Sequence, residues 1–267
     1  MAASTATIAS LPLRRPNLIT ICAKETKYEF LKLLRFPMFS VSTLVFPLMF
    51  YILFGLVMGR QTIGNITTTL YLIASYGTFA VMGASLFGTA AVLSSERGLG
   101  WLEVKRASPM PIFAYFLAKV VISLIFSTVD VSALMLLGVA FGGVHLSPMV
   151  AAKLMGTLVA GSIPFCAMGL AMGYFASPNS APAVINIFYL PMSFCSGLWI
   201  PIMFLPHFVQ KLALALPAYH LSQLALNVVG AGQGGPMTIH WQTLAGFTLL
   251  CIGMAWFGHQ RDQKANG

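Results

Sequence analysis

Between residues 38 and 258 the chain reads as long apolar runs separated by short polar or Gly- and Pro-rich breaks. A helix needs about 20 apolar residues to cross a hydrocarbon core of about 30 Å. Runs of that kind fall at 38–58, 70–93, 120–140 and 149–175, from about 184 onward, and at 241–258. The pattern therefore predicts an all-α membrane protein with six transmembrane helices. No stretch shows the sustained apolar and polar alternation of a transmembrane β-strand, which sets a barrel aside. Ahead of the first run, residues 18–36 follow Asn17, a plausible helix cap, and alternate differently. Ile19, Ala23, Phe30, Leu33 and Leu34 share a helical face, while Lys24, Glu25, Lys27, Glu29, Lys32 and Arg35 cover the rest, as in an amphipathic helix lying on a membrane surface. Residues 202–238, between the fifth and sixth runs, are apolar pieces broken by Pro and Gly and read as outer-leaflet half-helices.

Composition sharpens this picture. Hydrophobic residues make up 58% of the 267 and charged ones 8%, with a mean hydropathy of +0.84. Soluble domains carry roughly 25% charge, so a soluble enzyme is excluded as the default. Fifteen Lys plus Arg against six Asp plus Glu leave a net charge of +9. Because the basic residues lie mostly next to the apolar runs, they read as topology determinants and not as a nucleic-acid surface. Arg14, Arg15, Lys24, Lys27, Lys32, Arg35, Arg97, Lys105, Arg106, Arg261 and Lys264 fall on one side of a six-span arrangement, against Arg60, Lys153 and Lys211 on the other. Both termini are thus expected in the cytoplasm, with residues 1–16 a disordered tail and 259–267 a short basic tail. The acid-free start also fits a weak organelle transit peptide. Cys22, Cys166, Cys195 and Cys251 are too scattered for a disulfide or metal framework and read as packing residues.

The chain contains no phosphate-binding loop, His-Glu-x-x-His zinc site or Gly-x-Ser-x-Gly elbow, so no catalytic residue or metal ligand is assigned. The five histidines are scattered and lie outside the span centres. Two features stand out. Asp130 falls at the centre of the third run, where it needs a partner, a cavity or water; a hydrogen bond with Ser123, Ser127 or Ser132 is the simplest, and an ion-coupling site the sharper alternative. To keep Lys119 out of lipid, that run is started at Val120. The other feature is the charged cytoplasmic loop 94–111, closed by Pro109 and Pro111. Ser94 or Ser95 could cap a helix with Glu96 in its first turn, and Trp101, Leu102 and Val104 would give it an apolar face for a soluble partner. Small-residue pairs at four-residue spacing, Gly138 with Gly142, Gly169 with Gly173, and Ala152, Gly156 and Ala160, would let helices approach closely.

In this order of elements the chain resembles the permease subunits of type-2 ABC exporters, particularly the drug-exporter and nodulation-factor branch. Its loop SSERGLGWLEVKRASPMPIFAYFLAK is similar to the family's Glu-containing loop at Glu96, Gly98, Leu102, Pro109 and Lys119. The later segment SGLWIPIMFLPHFVQKLALALPAYHLSQLA is similar to its Ser-Gly, Pro, Leu-Pro and Pro-x-Tyr series at Ser196, Gly197, Pro201, Leu205, Pro206, Pro217 and Tyr219. Where many members carry a second acid or Thr in the loop, this chain has Leu99 and Gly100. The resemblance covers nearly the whole chain and makes residues 17–258 a single transmembrane domain. It implies a bacterial inner-membrane subunit that pairs with a second permease chain and binds two copies of an ABC ATPase. ATP and Mg would be bound by that ATPase and no cofactor by this chain. Coupling would use Ser95, Glu96, Arg97, Gly98, Trp101 and Leu102 together with the amphipathic helix, and an outer gate would use Gly197, Pro201, Leu205, Pro206, Pro217 and Tyr219. The implied substrate is hydrophobic or amphipathic, as in multidrug efflux. A polysaccharide or lipid-linked glycan exporter, an ion-coupled transporter using Asp130, and a scaffold without transport are the alternatives.

Overall fold

The computed structural model describes residues 17–34, 37–57, 62–63, 66–107, 110–233 and 235–266. The tail 1–16, with Arg14 and Arg15, lies outside these residues, as do Arg35, Phe36, Arg60 and Pro109. Helix α1 spans Leu18–Leu34, and the Asn17 side chain accepts weakly from the Ile19 amide at 3.4 Å. Its buried residues are Glu29 and Leu33, with Leu33 and Phe30 packed on Ala84, Ile122 and Phe126. The anticipated apolar face is thus divided: Ile19, Ala23 and Leu34 are exposed, while the acid Glu29, assigned by periodicity to the polar side, turns inward.

Helix α2, Pro37–Phe50, contains Pro47, which lacks an amide hydrogen and crowds the preceding turn. The chain then passes into a π-helical segment, Tyr51–Val57, where the Thr69 hydroxyl donates to the Gly55 carbonyl at 3.2 Å. A two-stranded antiparallel hairpin follows, β1 Thr62–Ile63 against β2 Ile66–Thr67, with Thr62 opposite Thr67. Thr67 then caps α3, Thr68–Leu86, by accepting from the Leu70 amide.

Helix α3 continues through a π turn, Phe87–Ala91, into α4, Val92–Gly98. It is the centre of the bundle: 89% of its apolar stretch is buried, against 17% for the last helix. A helix surrounded by neighbours cannot leave hydroxyls unpaired cheaply, and here Thr78, Ser85 and Thr89 donate to the carbonyls of Ala74, Val81 and Ser85, one turn back. Around α3 stand α6 (Ile112–Phe141), α7 (Pro148–Ala160), α8 (Ile163–Phe175), α9 (Ala181–Cys195) and α11 (Pro217–Val228), while α5 (Trp101–Ala107) packs on α4, α10 (His207–Ala213) on α9, and α12 (Met237–Asn266) on α8 and α11.

Thr68–Gly98, Phe113–Phe141, Pro148–Phe175 and Met237–Lys264 are each long and apolar enough to cross a membrane, and Thr43–Val57 and Ala181–Cys195 are shorter apolar helices. The chain is an all-α membrane protein. Two of the small-residue pairs work as contact points: a side chain at Gly169 or Gly173 would strike Thr89 or Leu93, and one at Gly138 or Gly142 would strike Ile73 or Thr69. Gly156 meets nothing within 4 Å, so the third small-residue stripe packs against no other helix of this chain at that point. Nor does α12 stop at Gly258: the residues anticipated as a tail continue it to Asn266, and the Tyr174 hydroxyl meets Nδ1 of the buried His259 at 3.0 Å.

Candidate functional site

At one end of the bundle four elements meet, α1, the α4–α5 loop, the start of α6 and the end of α8, and their charges interlock. Glu96, 2% exposed, binds Lys32 of α1 through Oε1, and Lys119 of α6 at 2.9 Å and the Tyr115 hydroxyl through Oε2. Lys119 reaches on to Glu29 at 3.1 Å, and Lys105 of α5 binds Glu25 at 2.6 Å and Glu29 at 2.8 Å. The two ammonium groups of Lys105 and Lys119 lie 4.4 and 4.6 Å from the centre of the Tyr115 ring. Three acids therefore face three lysines in a mostly buried cluster. Burial opposes the charge on Lys105, but Glu96, Glu25 and Glu29 outweigh it and hold its ammonium above the ordinary 10.5.

Lys119 is 1% exposed, yet it sits among protein carboxylates and not in lipid. Starting the span at Val120 is therefore unnecessary, and α6 begins at Ile112. The capping role given to Ser94 and Ser95 is also replaced. Both lie inside α4, because the rod from α3 has no break at Leu93; Ser94 donates to the Ala176 carbonyl at 2.9 Å, Ser95 is exposed, and Glu96 falls in the last turn of α4, not the first. Arg97 donates to the carbonyls of Tyr174 and Ala176 at the end of α8, where the helix dipole favours a cation, and its Nε lies 3.8 Å from Asp262 of α12. Arg97, Tyr174, Phe175, Gly258, Arg261 and Asp262 line a cavity of about 290 Å³ beside this contact. Gly98 packs on the Pro178 ring, leaving no room for a side chain.

The chain then turns at Gly100, φ +73°, and enters α5. Leu102 is buried with Leu93, Tyr115 and Tyr174. Trp101 and Val104 point away and, with Leu99, are 55%, 61% and 71% exposed. The face anticipated as Trp101, Leu102 and Val104 is thus a solvent-facing set, Leu99, Trp101 and Val104, standing over a core residue, Leu102.

A family model described as ABC-2 type transporter matches residues 23–229, well over half of the chain. The chain belongs to the ABC-2 type transporter family. This permease subunit is similar, at 24% identity over 214 residues, to "Putative transport permease YvfS" of Bacillus subtilis (strain 168), an alignment covering 80% of this chain and 87% of that protein. Membership makes it a transporter subunit in a membrane and implies a partner ATPase subunit.

At the opposite end of the ABC-2 permease lie the residues between α9 and α12. Gly197 turns the chain out of α9 with φ +77°, Pro201 opens a short 3-10 turn, Ile202–Phe204, Leu205 is buried, exposed Pro206 precedes α10, and Pro217 starts α11. Far from lying loose, α11 is buried from Pro217 through Leu226. Tyr219 packs edge-on against His220 and His240, with ring centres 5.5 and 6.1 Å away. His220 donates through Nε2 to the Leu214 carbonyl at 3.0 Å, so its Nδ1 accepts from the His240 Nδ1–H at 2.8 Å. Nothing in a 20-residue separation announced that pair. Asp130 is 1% exposed inside α6, and the anticipated serine bonds are absent: both its oxygens lack a hydrogen-bond partner, as do the hydroxyls of Ser123 and Ser127, while Ser132 donates to the Thr128 carbonyl.

Proposed function

We propose that this subunit supplies the translocation path of an ATP-driven exporter and that its ATPase docks on the exposed face of α5 and the adjoining turn. The observation that carries the reading is the pairing of an exposed apolar set, Leu99, Trp101 and Val104, with a buried charge cluster directly behind it. A push on α5 has little slack to take up, because Lys105 ties it to α1 and Glu96 ties α4 to both α1 and α6. Movement of a bound ATPase would thus reach a membrane-crossing helix through ion pairs. Of the anticipated coupling residues, Trp101 lies at the contact, Ser95 and Gly98 border it, and Glu96, Arg97 and Leu102 position it from beneath; Leu99, not among those anticipated, joins Trp101 on the exposed face.

Thr43–Val57 and Ala181–Cys195 complete six spans in this reading, with the charged end and both termini in the cytoplasm of a bacterial cell. Lys32 of α1, Arg97 of α4 and Lys105 of α5 gather at that end, in keeping with the positive-inside rule. The active assembly holds two ATPase copies, which bind ATP and Mg, and two permease chains, most simply identical. Its substrate is hydrophobic or amphipathic, supported by the likeness of the loop to drug-exporter permeases, and the segment from Gly197 to Tyr219 forms its outer gate. Purification of the tagged chain in mild detergent tests the docking. An ATPase should accompany the wild type in about equal amount and be lost from Leu99→Asp with Trp101→Asp. Recovery of the chain alone after gentle crosslinking would contradict the proposal.

A further inference from the structure

The chain has six carboxylates, and five of them have evident surroundings. Glu25, Glu29 and Glu96 belong to the lysine cluster, Asp262 faces Arg97, and Glu103 is exposed on α5. Asp130 is different. It is 1% exposed, and neither oxygen has a hydrogen-bond partner. Ser127 and Ser123, three and seven positions earlier, share its helical face and are buried with hydroxyls equally without partners.

No cation stands opposite this face among the described residues. Lys119 lies about 16 Å back along α6 and is held by Glu29 and Glu96. The acids and lysines of α1 are at that same charged end, α2 has no ionisable side chain, and Lys153 of α7 is exposed. The titratable groups that neighbouring elements bring inward are Tyr51 of the π segment, Tyr76 of α3, Cys166 of α8 beside Ser123, and Tyr189 of α9, all uncharged at neutral pH. Tyr189 spends its hydroxyl on the Phe79 carbonyl at 3.2 Å. A carboxylate left ionised here would be a buried charge with neither counter-ion nor donor, the least favourable arrangement a protein interior offers.

We infer that Asp130 is an intramembrane proton-binding site: its carboxyl holds one proton in this conformation and releases it when water reaches the buried face of α6 that carries it. On release the carboxyl O–H bond breaks, the proton passes to an entering water molecule, and the hydrated carboxylate remains; departure of the water reverses each step. Ser127 and Ser123 supply the hydroxyls that a short water file would follow along α6. Proton occupancy in this conformation does not depend on the proposed export function, whereas the release step rests on it.

Infrared difference spectra of the full chain in lipid nanodiscs test the occupancy at neutral pH. The wild type should show the carbonyl stretch of one protonated carboxylic acid, absent in Asp130→Asn, shifted in Asp130→Glu and unchanged in Glu103→Gln. Absence of that band, its persistence in Asp130→Asn, or its appearance only when sodium is removed would overturn the assignment, the last in favour of a metal cation. In the complex with its ATPase, ATP-driven transport by the wild type should vary with pH and Asp130→Asn should flatten the profile. Superimposable profiles would overturn the release step. Loss of ATPase binding in the purification experiment would remove the docking proposal and leave the infrared result standing.

Discussion

Lys119 is where the chain accepts a buried charge on an otherwise apolar helix, and its tolerance depends on two carboxylates from other elements, Glu29 and Glu96. Removing Lys119 leaves Glu25, Glu29 and Glu96 facing only Lys32 and Lys105, an uncompensated buried negative charge that costs up to about 3–5 kcal/mol, far more than losing an exposed ion pair. Lys119→Met should therefore lower stability to denaturant in detergent by that order, and adding Glu96→Gln should recover part of the loss. A recovery of nothing would mean that the two charges act independently. Lys105 gives the cluster a pH signature. Its folded value is raised above the ordinary 10.5, so its contribution is complete below that pH and fades as pH rises through the higher folded value. The thermal midpoint should hold from neutral pH to about 10 and fall beyond it. In Lys105→Met the midpoint should start lower and lose less over the same alkaline interval.

In α5 one turn of helix separates two jobs. Residues three apart share a face and consecutive ones do not, so Trp101 and Val104 project together while Leu102 turns into the core. The three apolar residues therefore do not form one face, because α5 is only about two turns long and its period divides them. Glu96 was misplaced for a different reason: the serines before it have capping chemistry, but α3 runs through a π turn into α4 without a break, so no helix starts there. These placements give opposite expectations for similar changes. Leu99→Asp and Trp101→Asp should abolish substrate-coupled ATP hydrolysis in the reconstituted complex and leave the unfolding free energy of the chain within about 0.5 kcal/mol of wild type. Leu102→Asp should destabilise the chain itself, by several kcal/mol, because it buries an unpaired acid.

Across the molecule, what could be read in advance was what the bilayer imposes on a single segment. Apolar run lengths located every long helix, since the hydrocarbon thickness sets them directly. What escaped was pairing between distant segments. The Glu29 to Lys119 contact joins residues 90 apart, the His220 to His240 contact joins side chains on two helices, and His259 and Asp262 lie on a helical extension docked on α8 and on Arg97 of α4. Periodicity assigns a residue to a face of its own helix but says nothing about which helix will cover that face, and Glu29 and Lys119 fall on that blind side. The central claim is that a partner ATPase sits on the face carrying Leu99 and Trp101. The most direct measurement is site-specific photocrosslinking in native membranes, with a photoreactive amino acid in place of Trp101 and, as a control, in place of Leu102. A strong adduct with an ATPase subunit from position 101 and little from position 102 is the predicted result. Adducts from position 101 to lipid or to this chain alone, with no ATPase captured, would contradict the account.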